Sequence, residues 1–282
     1  MTSLGRVAIL GTGQIGTMVG MALRAAPGPG VDEVAAWDRD SAAMDACLRR
    51  AGADRLLGGP EEALESDLII LATPVAQIVG LTRELGPRLR ASQVLIDTGS
   101  SKLEVVRAMQ QCVPEGAGAV GGHPLCGGSE PGPWSADPAL LKGATFVLCR
   151  VRDDPLSRGT AGLLVGMLGS TVLELDASEH DRLVARSSHL PHLVAAAVAE
   201  MSCALPTSAL FSSGLRGAVR LARSDPAMVA SFVCANLEEV RAATRELGLQ
   251  LERLLAAAAS GEEYLAPELE AARLRALEVG VS

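Results

Sequence analysis

The chain has 282 residues, 48% of them hydrophobic and 21% charged, with a net charge of −8. Such a length holds two ordinary domains with full cores. The acidic balance argues against general nucleic-acid binding, which depends on neutralising phosphates, and no apolar run approaches the roughly 20 residues of a membrane span. The expected partner is therefore a small molecule. "MTSLGRVAILGTGQIG" carries no basic segment followed by an apolar core, so no secretory leader is expected and the cytoplasm is the default location. Six cysteines (Cys47, Cys112, Cys126, Cys149, Cys203, Cys234) contain no CxxC pair and read as mostly buried thiols.

From residue 5 to about 175, short apolar runs alternate with helical stretches. "RVAIL" precedes a helix at 14–26, "EVAAW" one at 41–51, "DLIILA" one at 74–90 and "QVLID" one at 102–113; "GAVGG", "ATFVLC" with a helix at 157–169, and "TVLEL" follow. Continuous apolar strands separated by helices are what a parallel sheet covered on both faces requires. The fold class is therefore α/β, with an N-terminal Rossmann-type doubly wound parallel sheet. After residue 175 only helical periodicity remains (178–205, 226–247, 248–260, 266–278), broken at Pro206, "FSSG", "LGLQ" and "SGEEY". The expected domains are 1–175, dinucleotide-binding, and 176–282, all helical. "LPHLVAAAVAEMSCAL" has one charge in sixteen residues. A helix apolar on most sides must be covered on most sides, so a homodimer through the helical domain is expected.

Gly11, Gly13 and Gly16 in "VAILGTGQIG" have GxGxxG spacing between a strand and a helix, so backbone and helix N-terminus are free to meet a pyrophosphate. Asp38 ends the next strand 22 residues after Gly16, where a carboxylate accepts both ribose hydroxyls. That carboxylate favours NAD over NADP, whereas Arg39 beside it offers a partner for a 2′-phosphate. Thr12, Gln14 and Ile15 complete the turn, and Thr73 and Pro74 of "ATP" end a strand on the same ligand-binding edge. "DTGSSK" at 97–102 ends another, with Ser100 or Ser101 read either as functional or as a helix cap. "GGHPLCGGSE" at 121–130 puts His123 in glycines and beside a proline, which reads as a loop thinned so that something can approach the imidazole.

Taken in order, "GTGQIG", "WDRD", "ATPV", "DTGSSK", "GGHPLCGGSE", "LLKGATFVL", "HD" at 180–181, "SSHLPH" and "GLRGAVRLARSDP" resemble the prephenate and arogenate dehydrogenases over residues 5–240. The resemblance implies a two-domain dimer that oxidises and decarboxylates prephenate with NAD, NADP being second. It implies that His123 receives the proton of the ring hydroxyl, a role suited to imidazole. Ser100 then helps to hold that hydroxyl or the histidine. His189 takes the position of a substrate-side residue, with His192 one turn on; both also admit a structural role, and a metal site lacks a third ligand. Arg220 is the implied binder of substrate carboxylate, with Arg216 in a supporting position and Arg223 close by.

The chain departs from the family pattern at "SEPGPWS" (129–135), beside the expected active site, and at Gly217, Ala218 and Val219, where polar residues are usual. Arogenate and 4-amino-4-deoxyprephenate are therefore alternative substrates. A β-hydroxyacid dehydrogenase is disfavoured because 177–282 contains no lysine. A dinucleotide-sensing protein without chemistry is the non-enzymatic alternative.

Overall fold

The computed structural model describes residues 3–26, 30–128, 130–202 and 211–279. Ser129, Cys203 and Pro206 lie outside the described residues. Eight strands form one sheet in the order β3-β2-β1-β4-β5-β6-β7-β8: β1 (Arg6–Leu10), β2 (Glu33–Trp37), β3 (Arg55–Leu56), β4 (Leu68–Leu71), β5 (Val94–Asp97), β6 (Gly118–Pro124), β7 (Thr145–Arg150) and β8 (Thr171–Glu174). The central strands are buried from end to end, as the continuous apolar runs of β4 (LIIL) and β5 (VLID) require of strands with helices on both faces. The helices are α1 (Gln14–Ala25), α2 (Ser41–Arg49), α3 (Val75–Leu85), α4 (Leu103–Cys112) and α5 (Pro155–Leu168). The ends of α5 follow local chemistry: Asp154 caps it, Pro155 opens it, and Gly169 closes it at φ 71°.

One pair departs from the parallel pattern. β7 runs antiparallel to β6, with His123 opposite Val147. The glycine-rich stretch around His123, expected as a loop, is thus strand as far as Pro124. Its glycines serve close packing: a Cβ on Gly122 would lie 2.3 Å from the Asp97 carbonyl oxygen and 2.9 Å from the Phe146 ring. True turn geometry begins at Gly127, where φ is 132°.

Beyond the sheet come α6 (Ala177–Val184), a π-helical turn (Ala185–His189), α7 (Leu190–Ser202), α8 (Ser213–Ala218), α9 (Pro226–Ala235), α10 (Leu237–Ser260) and α11 (Glu262–Val279). The helix expected over 178–205 is therefore interrupted by a π turn, a feature that often marks functional sites. The joint expected at "LGLQ" does not exist, because α10 runs through Gly248; one interior glycine costs only about 1 kcal/mol. The break falls instead at Asn236, whose side chain is hydrogen-bonded away from the helix, to the carbonyl of Asp181. Strands end at Glu174, while the chain divides into compact units at a later point, Met1–Asn236 and Leu237–Ser282. The second unit is the pair α10 and α11, turned at Gly261 and joined by Arg253 and Glu268 at 2.8 Å. No helix among the described residues is long and apolar enough to cross a membrane.

Among the described cysteines, Cys47 and Cys149 are buried, Cys112 and Cys126 half-buried, and Cys234 exposed. Burial pushes the thiols of Cys126 and Cys149 up to about 11 and about 12, which makes them poor nucleophiles.

Candidate active site

At the carboxyl ends of β1 and β4 the backbone crowds so closely that only glycine fits. Gly11 has φ 110°, and a Cβ there would lie 2.5 Å from the Ala72 carbonyl; a Cβ on Gly16 would lie 1.9 Å from Gly11 O. Gly13 faces open space and begins α1, whose first turn has no side-chain cap and no acidic residue. That leaves free N–H groups and a positive helix end. Asp38 accepts N–H bonds from Thr12 at 2.7 Å and Asp40 at 3.0 Å, so its carboxylate is held at the end of β2. Thr73 Oγ1 is buried with no hydrogen-bond partner beside this turn. An unfilled donor, an uncapped helix and a fixed carboxylate together fit a dinucleotide. Arg39 is exposed. Gln14 acts elsewhere, because its Oε1 accepts from Gly128 N at 2.9 Å and its Nε2 donates to Ser135 Oγ at 3.1 Å, tying the atypical 129–135 segment to the start of α1.

A cavity of about 600 Å³ opens from this turn. Gly13, Gln14, Ile15, Thr73 and Pro74 line it together with Ser100, His123, His192 and Arg220. Residues from six separate stretches of the sequence thereby meet in one space. Among the described residues lining it, Arg220 is the only arginine or lysine. Ser100 faces the cavity, while Ser101 is buried with its hydroxyl donating to Phe232 O at 3.4 Å, so the structure separates the two serines.

Two expected substrate residues lie off the wall. His189 is fully buried, stacked on Phe232 at 4.6 Å between ring centres, and its Nδ1 faces Asn236 Nδ2 at 3.2 Å. The π turn rotates His189 inward and leaves His192, one turn on, at the cavity. His192 Nδ1 donates to Ser188 O at 2.8 Å, which leaves Nε2 as its lone-pair nitrogen. Arg216, on the short α8, and Arg223 are exposed and outside the lining. The two histidines do not converge on a third ligand: no cluster of three metal-ligating side chains occurs among the described residues.

Behind His123 lies a buried polar network. His123 Nδ1 is 2.8 Å from His180 Nε2, and His180 Nδ1 is 2.7 Å from Asp181 Oδ1. Asp181 also accepts the backbone N–H groups of Lys102 at 2.7 Å and Leu103 at 2.9 Å, capping α4. Lys102 is completely buried and ion-paired with Asp97, which accepts N–H bonds from Gly99 at 2.7 Å and Gly122 at 3.0 Å. Sequence reasoning does not reach Asp97, Lys102, His180 and Asp181 as site components. The signal present is "DTGSSK", an acid and a base among small residues, and "HD", which stands between the charged Glu179 and Arg182 and is not distinguished by its local surroundings.

Burial, with His180, Lys102 and His189 nearby, holds the His123 imidazole well below its ordinary range, so it is neutral and able to accept a proton at neutral pH. Burial likewise pushes His189 down to about 4, against the opposing pull of the Asp181 carboxylate. As pH falls below 6.5, an unfolded chain protonates this residue while the native protein does not until about 4. Stability is therefore complete above 6.5 and falls as pH drops toward 4, by roughly 3 kcal/mol from His189. Urea unfolding at about pH 7 and about pH 4.5 should show this loss, and His189→Gln should lose clearly less on acidification. Equal acid losses in both proteins would contradict it.

Residues 19–158 match the family model described as prephenate dehydrogenase, nucleotide-binding domain, and residues 176–269 match prephenate dehydrogenase, dimerization domain. The chain belongs to the prephenate dehydrogenase family. It is 28% identical over 240 residues to a prephenate dehydrogenase of Lactococcus lactis, covering 83% of this chain and 65% of that protein. It is 26% identical over 275 residues to a cyclohexadienyl dehydrogenase of Zymomonas mobilis, covering 94% and 92%. Thus the chain spans about two thirds of the length of the Lactococcus relative and nearly all of the Zymomonas one. In fold it superposes on the prephenate dehydrogenase of Aquifex aeolicus, solved with hydroxyphenyl propionate and NAD+, with a TM-score of 0.90, 22% identity, and coverage of 98% and 99%.

Proposed function

We propose that the protein is an NAD-dependent dehydrogenase that oxidises and decarboxylates prephenate to 4-hydroxyphenylpyruvate. The observation that carries the reading is the shared cavity: the glycine turn, a neutral His123, Ser100 and the cation Arg220 all face one space. Nicotinamide, when bound, supplies the hydride acceptor. His123 accepts the proton of the C4 hydroxyl as hydride leaves C4; when CO₂ departs and the ring becomes aromatic, the proton returns to the same oxygen. Ser100 steadies that hydroxyl. Arg220 binds carboxylate, His192 offers its bare Nε2 on the same wall as an acceptor for a substrate donor, and the buried His189 supports the wall through Phe232. Arg216 lies one step removed from the substrate.

Asp38 supports NAD over NADP, since its fixed carboxylate repels a 2′-phosphate. The border at 175/176 divides the nucleotide-binding part from the helical part, in line with the start of the second matched model at residue 176. A homodimer follows from α7, which is almost wholly apolar and yet buries only Ala195 in the single chain. Gel filtration at micromolar concentration should give a dimer, and a monomer would remove this part of the reading.

The deciding experiment follows reduced nicotinamide by absorbance, with prephenate or arogenate as substrate and NAD or NADP as cofactor. Turnover of prephenate with NAD is the expected result. The cyclohexadienyl relative, matched over nearly its whole length, makes arogenate the second substrate to try; turnover of arogenate alone would keep the ring chemistry and change the side-chain pocket. Silence with both, followed by activity on 4-amino-4-deoxyprephenate, would move the protein to an amino-substituted ring. Silence with all three leaves a dinucleotide sensor. Arg220→Ala should raise KM for substrate by roughly 10- to 100-fold with kcat little changed, the scale of one lost charge-assisted contact. An unchanged KM would remove Arg220 from carboxylate binding.

A further inference from the structure

His180 belongs neither to the cofactor turn nor to the cavity wall, and the reaction as proposed does not call on it. It is fully buried on α6, between His123 and Asp181. The carboxylate of Asp181 takes three N–H groups, those of Lys102, Leu103 and the His180 ring. An acceptor committed in this way requires hydrogen on His180 Nδ1. A neutral imidazole has a single N–H, so His180 Nε2 holds a lone pair, and the nitrogen facing it, His123 Nδ1, must donate. His123 Nε2 is then the ring nitrogen left with a lone pair, on a residue that lines the cavity.

The geometry points to His180 as a positioning residue: under the control of Asp181, it selects the Nδ1–H form of His123 and so presents Nε2 to the substrate hydroxyl. When Nε2 takes the hydroxyl proton, the Nδ1–H bond to His180 strengthens, and the His180 N–H already points at the Asp181 carboxylate. The new positive charge is thereby spread toward a buried anion, the logic by which a third group orients a catalytic imidazole. Lys102, paired with Asp97, and His189 are the other titratable groups acting on the pair. The assignment rests on His123 being the proton acceptor of the proposed reaction.

The chain has only four histidines, so nitrogen-15 labelling of histidine in the full-length protein without cofactor gives a spectrum that single variants can assign. His123 should show a protonated Nδ1 and a bare Nε2. In His180→Leu that form should give way to the Nε2–H form, whereas His180→Gln, whose amide oxygen still accepts, should keep it. In turnover, His180→Leu should lose about tenfold or more in kcat with KM for NAD and substrate within about twofold, and His180→Gln should recover part of the loss. A wild-type His123 protonated on Nε2 would overturn the assignment. So would a folded His180→Leu with unchanged tautomer and kcat. The wild-type spectrum needs neither substrate nor variant, so it decides the point even if His180→Leu fails to fold or no cyclohexadienyl compound is turned over.

Discussion

His123→Asn lowers kcat by about 10²- to 10⁴-fold, the scale of general acid–base catalysis, and leaves the Kd for NAD within about twofold. Asparagine keeps a polar group near the position of Nδ1 and cannot hold a proton. The residues that fit the dinucleotide, in the turn between β1 and α1 and just after β2 and β4, make no hydrogen bond to the His123–His180–Asp181 chain, so the two measurements separate. The same assignment sets a pH dependence. With His123 held well below its ordinary range, kcat/KM should stay flat through neutrality, with its acid limb displaced below that of an ordinary histidine. Initial rates across pH and calorimetric titration with NAD check both statements; kcat within about tenfold of wild type would remove His123 from the chemistry.

Lys102→Met destabilises the protein by about 3–5 kcal/mol in urea unfolding. Lys102 and Asp97 are both completely buried, and the carboxylate's remaining partners, the N–H groups of Gly99 and Gly122, are dipoles without charge. Removing the ammonium strands an anion at the end of a central strand. The double variant Asp97→Asn/Lys102→Met should recover a large part of the loss, because the buried charge is gone along with its partner. A single variant as stable as wild type would mean that Asp97 is not ionised in the native protein. Lys102 also helps to hold the His123 imidazole down, so Lys102→Met should shift the acid limb of kcat/KM to higher pH.

The sheet is legible in the sequence because each central strand is a continuous apolar run, and burial on both faces leaves no other pattern. The turn at Gly11–Gly16 is legible because glycine spacing there answers to backbone contacts. His123 itself stands out, though the glycines beside it suggest a thinned loop and are in fact packing residues in β6. At Gly122 the missing side chain makes room for the Asp97 carbonyl, contributed by a strand 25 residues earlier, and local sequence carries no record of it. For the same reason the His123–His180 contact, 57 residues apart, is out of reach. The resemblance favours His189 of "SHLPH" as the substrate-side residue; the π turn, which periodicity does not reveal, buries it and leaves His192 at the cavity.

The hydrogen-bonded chain behind His123 stops at two backbone amides, those of Lys102 and Leu103, and an amide cannot hand a proton onward. No conduit to bulk water leaves the site by that route. An oxidation that sent a proton out through the buried network at every turnover would need such an outlet. The aromatising decarboxylation does not, since its product hydroxyl reclaims the hydrogen its substrate hydroxyl gave up. A blind end at Asp181 is suited to a reaction in which acid–base traffic begins and finishes on one oxygen atom.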